Sequence, residues 1–341
     1  MKKSLMALGV LALFVLMAYG QEKKFALYSV AFYNMENLFD TIHDEGKNDY
    51  EYLPNGTNQW NTMKYKAKLK NMSEILSLLS TDKLPMGPAI IGVSEIENYR
   101  VLEDILKQPA LADRGYQYVH YEGADQRGVD CAFFYNPKLF ELTNSKLVPY
   151  VYINDTVHKT RGFLIASGNI AGEKMHFIVN HWPSRAAASP ARERAGEQVR
   201  AIKDSLLRED SAAKIVIMGD MNDDPMDKSM AVALGAKRKP ADVGPTDLYN
   251  PWWDTLKKGY GTLMYKGKWN LFDQIVFTGN LLGTDRSTLK FYKHEIFRRD
   301  FMFQKEGKYK GYPKRTQAGG VWLNGYSDHL PTIIYLIKEV K

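Results

Sequence analysis

The sequence predicts an α+β fold or a layered α/β sandwich rather than a doubly wound parallel sheet. Segments with the composition of strands outnumber helical patterns, and only a few long helices are spread among them. Residues 215–218 are all aliphatic or β-branched, which is typical of a strand buried on both faces. No repeat, low-complexity tract or linker divides the chain, so we expect one domain over residues 21–341.

Strand-like segments follow one another along the whole chain. Each is a short run rich in aliphatic, β-branched or aromatic residues and is bounded by polar, Gly or Pro positions. We predict strands at residues 27–33, 89–93, 116–121, 129–135, 147–153, 163–167, 174–179, 215–218, 273–278 and 331–337.

Two segments have the apolar periodicity of amphipathic helices. Residues 64–80 form the first, and the second begins with Ser189 as predicted N-cap and Pro190 as the first helical residue. A shorter helix ends near residue 107. Residues 223–269 are predicted to be irregular, and residues 291–325, which mix basic and aromatic side chains, are predicted to form a surface excursion.

The N-terminus has the pattern of a secretory signal peptide. Lys2 and Lys3 precede an apolar run over residues 5–17, and a small-x-small site ends at Gly20. We expect cleavage after Gly20 and a periplasmic or secreted protein, with a retained N-terminal anchor as the alternative. No other segment is apolar enough to span a bilayer, so we expect no stable membrane span after cleavage.

The composition describes a mildly basic protein without disulfides. The 341 residues carry a formal charge of +7, and removing Lys2 and Lys3 leaves +7 − 2 = +5. This balance permits a phosphate-bearing or polyanionic partner without demonstrating one. The only cysteine, Cys131, lies in an apolar strand and is expected to be a buried small hydrophobe. We expect a monomer.

Polar side chains lie at the edges of six predicted strands. Any one of them has an ordinary explanation as a cap, a turn or an exposed charge. Together they form a set of carboxylates, amides and two histidines: Asn34 with Glu36, Glu95 with Glu97, Asn180 with His181, Asp220 with Asn222, Asp273, and Asp328 with His329.

Oxygen ligands of this kind suit Mg²⁺ or Mn²⁺, whereas a zinc site would need more His or Cys. A magnesium site with neighbouring bases and donors is suited to hydrolytic phosphoryl transfer. An EF-hand loop at residue 220 is excluded, because Pro225 and Ala231 stand where that loop needs Gly and Glu. The sequence also lacks G-x-S-x-G, C-x-x-C, H-E-x-x-H and the P-loop motif.

The order of these motifs resembles the endonuclease/exonuclease/phosphatase superfamily, and in particular an exported bacterial branch. The segments that carry the resemblance are NMENLFD, SEIEN, RGVDCAFFY, TRGFL, VNHWPSR, GDMNDDP, LFDQIVF and GYSDHLP, which span nearly the whole mature chain. The resemblance implies a DNase I-like, four-layer α/β/β/α sandwich, in which two mixed sheets pack face to face and the site lies at one edge.

The resemblance also implies roles for individual residues. Glu95 resembles the metal-binding glutamate, with Asn34 and Asp328 in or near the metal's coordination shell. Asp220 matches the aspartate that positions or deprotonates the attacking water, and Asn222 would hold the geometry of that aspartate or donate to the phosphate. His329 resembles the histidine that donates to the phosphate or acts as base, and Asp273 would orient its ring. His181 is a further implied catalytic residue. The implied cofactor is Mg²⁺, with Mn²⁺ as the alternative.

Phosphate binding is assigned less directly. We predict that the substrate is contacted by Arg127, Arg161, Arg185 and Asn180. An arginine guanidinium binds phosphate through two parallel hydrogen bonds; the alternative for each Arg is a structural ion pair. In the basic excursion, Lys308, Lys310, Lys314 and Arg315 with Tyr309 and Tyr312 would clamp a polyanion, or form a solvated loop.

The sequence therefore predicts an exported, magnesium-dependent phosphoesterase. The first hypothesis is a nuclease acting on DNA or other nucleic acid. The second is a phosphodiesterase or phosphatase for lipid head groups or small phosphoesters. A non-catalytic binding module of the same fold is the third, and it is disfavoured because the matched site residues are all present.

Overall fold

The structure, a computed structural model, describes residues 23–153, 155 and 157–340. The predicted signal peptide lies outside the described residues. The strands, in chain order, are β1 Lys24–Leu38, β2 Ile90–Ile96, β3 Gln117–His120, β4 Asp130–Tyr135, β5 Glu141–Val148, β6 Phe163–Ile170, β7 Glu173–His181, β8 Lys214–Asp220, β9 Ala236–Lys237, β10 Leu248–Tyr249, β11 Leu263–Tyr265, β12 Lys268–Asn270, β13 Asp273–Thr278, β14 Lys290–Ile296, β15 Gln317–Ala318, β16 Val321–Trp322 and β17 Thr332–Val340.

The helices are α1 Thr62–Leu78, α2 Tyr99–Leu106, α3 Ser189–Glu209 and α4 Trp253–Lys257, with a π-helix at Ser229–Leu234. Single turns of 3₁₀ helix occur at Tyr50–Tyr52, Ala112–Arg114, Pro240–Asp242, Gly279–Leu281 and Asp300–Met302. None of the helices in the described part of the chain is long and apolar enough to cross a membrane.

Two large mixed sheets account for most strands. The first has the order β14-β17-β1-β2-β4-β3, and the second has the order β5-β6-β7-β8-β13-β10-β9. The pairs β1–β2 and β7–β8 are parallel, and their neighbours on either side are antiparallel. The expectation of an α+β sandwich with mixed sheets is therefore confirmed. Each sheet contains one long parallel pair, β1–β2 or β7–β8, whose carboxyl ends lie side by side, and the short strands β9 and β10 of the second sheet are also parallel.

The core between the sheets is formed by large apolar side chains. Phe133 from the first sheet packs against Phe177 from the second at 5.8 Å between ring centroids, with Phe140 beside both. At Gly92 the sheets approach so closely that a Cβ atom would lie 2.5 Å from Sδ of Met218. Interdigitation of this kind fixes the position of one sheet on the other.

Helices cover the outer faces and complete four layers. Leu69, Met72 and Ile75 of α1 belong to a cluster with the outer side chains of β1 and β2. Val199 and Leu206 of α3 do the same for β7 and β8. The apolar stripes predicted from the sequence are therefore the faces that pack onto the sheets.

Several local predictions were wrong. Residues 223–269, predicted to be irregular, contain α4 and the π-helix, and residues 291–296 of the predicted surface excursion belong to β14 of the first sheet. The N-cap of α3 is Ala188, and the predicted N-cap, Ser189, is the first residue of the helix. Pro190 did not fix the start of the helix, because proline is tolerated at any position of the first turn, where the N–H groups have no partners within the helix. The strand predicted at 147–153 is β5 at Glu141–Val148, an edge strand whose exposed polar residues hide its pattern. Strand β1 continues past residue 33 to Leu38.

The packing between the sheets predicts a large difference between two phenylalanines. Replacing fully buried Phe133 by Ala removes its contacts with Phe140 and Phe177, so we expect a loss of about 3–5 kcal/mol in the free energy of unfolding. The matched variant Phe25→Ala, at a side chain that is 47% exposed, should cost roughly 0.5 kcal/mol. Equal denaturation midpoints for the two variants would contradict the packing described here.

Candidate active site

The polar strand ends of both sheets meet along one edge. In the second sheet, Asp220 pairs with His181 across the parallel ladder and with Asp273 across the antiparallel one. In the first sheet, Asn34 lies beside Ser94, one residue before Glu95. Asn34, Glu95, His181, Asp220, Asp273 and His329, which we call the polar edge, thereby converge from five strands and one loop although they are far apart in sequence.

The backbone is strained where three of the acidic and amide side chains leave their strands. Glu36, Glu95 and Asn222 have φ angles of 46°, 60° and 52°, a left-handed conformation that is uncommon outside glycine. The pairing register of β1 with β2 shifts between Asn34 and Leu38. Bulges of this kind re-aim side chains, and strained residues concentrate at functional sites.

Asn34 joins the two sheets at the polar edge. Its Nδ2 atom donates to Oε1 of Glu95 at 3.1 Å and to Oδ2 of Asp220 at 3.0 Å. Its Oδ1 accepts from the backbone N–H of Glu36, and the backbone N–H of Asn37 donates to Oε2 of Glu95 at 2.8 Å. In this conformation Asn34 faces the carboxylates as a donor, so its role as a metal ligand stays a prediction.

His181 lies against the same two carboxylates. Its Nε2 is 3.7 Å from Oε1 of Glu95 and 3.7 Å from Oδ2 of Asp220. Burial, with help from Arg161 and Arg127, lowers the pKa of His181 well below its ordinary value, so the ring is neutral at pH 7. Its Nδ1 is buried and has no hydrogen-bond partner among the residues that the structure describes.

These atoms fit a divalent cation. Glu95, His181 and Asp220 each offer a ligand atom, and the three atoms lie within 4.8 Å of one another. Two carboxylates and a neutral imidazole are a donor set for divalent metals, and the oxygen donors suit the hard cations. No oxygen of Asp328 belongs to this group. The assignment of Asp328 as a residue in or near the metal's coordination shell stays a prediction.

His329 bridges two buried carboxylates. Its Nδ1 is 2.7 Å from Oδ2 of Asp273, and its Nε2 is 3.9 Å from Oδ2 of Asp220. Burial alone would lower the pKa of His329, but Asp273 and Asp220 outweigh it and hold that pKa well above its usual value. Burial, opposed by His329, raises the pKa of Asp220 to about 7. The geometry expected for an Asp that orients a histidine is present.

Asn222 makes its hydrogen bonds to Asp220 and to the backbone just after β7. Its N–H donates to Oδ1 of Asp220 at 2.9 Å, and its Nδ2 donates to the carbonyl of Trp182 at 3.0 Å. Asn222 therefore holds Asp220 and the end of β7 together. Direct donation from its side chain to a phosphate stays a prediction.

The residues predicted to bind substrate lie around the polar edge and are bound to protein groups. Arg161 is buried, with Asp125 and the carbonyl of Trp182 as partners. Arg127 has Nε 3.6 Å from Asp125 and is half exposed. Arg185 donates to the carbonyl of Asn222 and to the acidic turn at residues 223–227. Asn180 is fully buried, and its Nδ2 donates to the carbonyls of residues 178 and 218.

A second charged group adjoins the polar edge, and although its members were named separately from the sequence, their grouping was not predicted. Arg315 donates to Oε1 of Glu36 at 3.0 Å and to Oδ2 of Asp328 at 2.7 Å. Burial and the neighbouring Asp328 raise the pKa of Glu36 to about 7. The side chain of Arg315 is 45% exposed, which leaves it accessible to an anion.

Lys68 of α1 binds the chain segment that carries Arg315. It is fully buried on α1, and its Nζ donates to Oγ1 of Thr316 at 2.5 Å and to the carbonyl of Tyr326 at 2.6 Å. The sequence did contain a pattern that could have identified Lys68 as buried. Lys68 follows Tyr65 by three residues and precedes Met72 by four, so it lies on the buried stripe of α1. A lysine on such a stripe indicates a buried partner.

Solved structures with the same fold have low sequence identity to this chain. An endonuclease/exonuclease/phosphatase family protein from Bacteroides thetaiotaomicron is 15% identical over 93% of this chain and 97% of its own, with a TM-score of 0.57. A mannosyl-6-phosphatase from the same organism is 15% identical, covering 91% and 99%, with a TM-score of 0.56. D. rerio TDP2 complexed with a single-strand DNA product is 14% identical, covering 91% and 99%, with a TM-score of 0.52.

A search of curated proteins finds no match. The sequence model of the Endonuclease/Exonuclease/phosphatase family matches residues 29–338, a range that includes the whole polar edge. The chain therefore belongs to the Endonuclease/Exonuclease/phosphatase family, whose members are metal-dependent phosphoric ester hydrolases.

Proposed function

We propose that this protein is an exported, magnesium-dependent phosphodiesterase that cleaves nucleic acid. The observation that carries the proposal is the convergence of Glu95 and Asp220, joined by Asn34, with the His329–Asp273 pair at one edge of the sandwich. The proposal includes a signal peptide cut after Gly20 and a single, monomeric domain over residues 21–341.

The metal would be held by Glu95, with Asp220 and His181 beside it and Asn34 and Asp328 nearby. When bound, a divalent cation offsets the charge of the phosphate and of the developing leaving group. Because most of these donors are oxygens, Mg²⁺ is the expected ion and Mn²⁺ a substitute.

The chain's own groups account for orientation and proton movement. Asp220, held by the N–H of Asn222, is placed to orient a water and accept its proton as the oxygen attacks phosphorus. His329, fixed by Asp273 through Nδ1, presents Nε2 for donation to a non-bridging phosphate oxygen. The new bond joins water oxygen to phosphorus, and the bond to the leaving oxygen breaks.

Two observations favour nucleic acid among phosphoesters. The formal charge of the chain after cleavage, +7 − 2 = +5, has the sign that suits a polyanionic partner. The similar structure of D. rerio TDP2 holds a single-strand DNA product. The second candidate, a phosphatase for a small phosphoester, is favoured by the similar mannosyl-6-phosphatase, whose coverage and TM-score are comparable.

Hydrolysis should depend on the polar edge and on a divalent cation. With bis-p-nitrophenyl phosphate and Mg²⁺, we expect Asp220→Asn and His329→Ala to lower kcat by about 10²–10⁴-fold, because each removes a group that acts in the transition state. EDTA should abolish activity, and added Mg²⁺ or Mn²⁺ should restore it.

The matched control is Asp113→Asn, a carboxylate on an exposed 3₁₀ turn without capping contacts, which should retain the wild-type rate. Circular dichroism would verify that all variants fold. Activity that survives EDTA and both substitutions at the polar edge would refute the mechanism.

Substrate class should separate the two candidate functions. A nuclease is expected to nick plasmid DNA and to hydrolyse the diester bis-p-nitrophenyl phosphate faster than the monoester p-nitrophenyl phosphate. Its DNA affinity should also fall steeply between 50 and 200 mM salt, by roughly tenfold or more, because bound phosphates release counterions. Rapid release of phosphate from mannose 6-phosphate with no cleavage of DNA would instead establish the phosphatase.

A further inference from the structure

A cavity of about 690 Å³ opens beside the polar edge, between the β11–β12 hairpin and residues 304–323. Arg315 and Asp328 form the end that adjoins the polar edge, and three tyrosines, Tyr265, Tyr309 and Tyr312, line the walls with leucine, methionine and proline side chains. We call it the tyrosine cavity. Its size lies in the usual range for sites that enclose a small organic group.

The hairpin wall is attached to the catalytic residues by its backbone. Leu263 pairs with His329 in an antiparallel bridge, and the N–H of Leu330 donates to the carbonyl of Thr262 at 2.9 Å. The N–H of Asp273 donates to Oγ1 of Thr262 at 3.2 Å. A group bound in the tyrosine cavity is therefore held in a fixed position relative to His329 and Asp273.

The opposite wall is closed onto the hairpin. The hydroxyl of Tyr312 accepts from the N–H of Gly267 at 2.6 Å, and the rings of Tyr309 and Tyr312 meet edge to face at 5.4 Å. Because both walls are bonded to the rest of the structure, the cavity is formed before a ligand arrives. Preorganisation of this kind lowers the entropic cost of binding.

Two of the three tyrosine side chains are exposed and lie beside lysines. Tyr265 is 62% exposed and Tyr309 is 50% exposed, although both are large and partly apolar. Lys266 lies 5.2 Å from the ring of Tyr265, and Lys308 lies 5.6 Å from the ring of Tyr309. Exposed rings beside cations are the combination that binds nucleic acid, since bases stack on the rings and phosphates are attracted to the cations.

Space is available on both sides of Arg315. A second cavity, of about 350 Å³, shares Tyr309, Arg315 and Ala318 with the tyrosine cavity and extends toward Glu36 and Asn37. A phosphodiester carries two organic groups on one phosphate. A phosphate next to Arg315 would have room for one of them in each cavity.

We propose that the tyrosine cavity binds the nucleoside group of a phosphodiester substrate, with its base stacked on the exposed rings of Tyr265 and Tyr309. The inference rests on the proposed function and adds a base-binding subsite to it. A lipid chain would need a longer apolar surface without the lysines, and inorganic phosphate has no group that would stack on the exposed tyrosines.

The test compares two diesters that share a leaving group: the p-nitrophenyl ester of thymidine 5′-monophosphate and methyl p-nitrophenyl phosphate. In both, water attacks phosphorus and p-nitrophenolate leaves, so the esters differ only in the group retained. We expect wild-type kcat/KM to favour the thymidine ester by about tenfold or more, and Tyr309→Ala or Tyr265→Ala to reduce that preference by about tenfold. Tyr309→Phe should keep it, because the ring remains.

The matched control is Tyr292→Ala, which removes an equally exposed tyrosine (51%) on β14, outside the cavity lining. It should leave the preference unchanged. The proposal is overturned if wild type shows no preference for the thymidine ester or if Tyr309→Ala slows both esters equally. It is also overturned if octyl p-nitrophenyl phosphate is hydrolysed in preference to the thymidine ester.

A binding measurement separates this proposal from the proposed function. Calorimetry compares thymidine 5′-monophosphate with methyl phosphate on wild type and Tyr309→Ala. If neither diester is hydrolysed but the nucleotide binds more tightly and loses that advantage in Tyr309→Ala, the subsite stands and the diesterase function falls. If both diesters are hydrolysed while nucleotide and methyl phosphate bind alike, the subsite falls and the diesterase function stands.

Discussion

The site depends on burying several carboxylates close together while keeping them able to bind a metal ion and accept a proton. Asp220 is 2% exposed and Asp273 is fully buried, and like charges at such short range oppose each other's ionisation. Two neighbours offset this cost. His329 lies between Asp273 and Asp220, and the amide of Asn34 donates to both Asp220 and Glu95. The negative charge that remains between Glu95 and Asp220 is what a divalent cation would neutralise, so metal affinity follows from the same arrangement that brings the carboxylates together.

This constraint links the site to the core. Asn34 and Glu95 come from the first sheet, whereas His181, Asp220 and Asp273 come from the second, so the polar edge exists only where the sheets are packed together. The close approach at Gly92 and Met218 sets their separation. Lys68 extends the same dependence to the outer layer, because it fastens the segment that carries Arg315 to α1. A change in core packing is therefore expected to alter the distances on which the chemistry depends.

The sequence predicted the class of fold, and it named all six members of the polar edge because each lies at one end of an apolar, strand-like run. That these residues meet at one edge of the sandwich was implied by the family resemblance. Local patterns contain no information about partners far along the chain, such as Arg315 with Glu36, or Arg161 with Asp125. They also do not predict positive φ at Glu95 and Asn222, since only the assembled sheets stabilise that strain. The basic, aromatic segment was expected on the surface; that it encloses cavities beside the site depends on tertiary contacts such as Tyr312 with Gly267.

The central claim is that residues from both sheets form one divalent-cation site. Anomalous scattering from crystals of the protein soaked in Mn²⁺ tests it most directly, because it locates the ion without relying on turnover. The account predicts a peak at the polar edge, bonded to a carboxylate oxygen of Glu95 at roughly 2 Å. A peak only at His120, Glu122 and Asp130, another group of close ligand atoms in the described chain, would contradict the account. So would crystals that bind no ion at the polar edge.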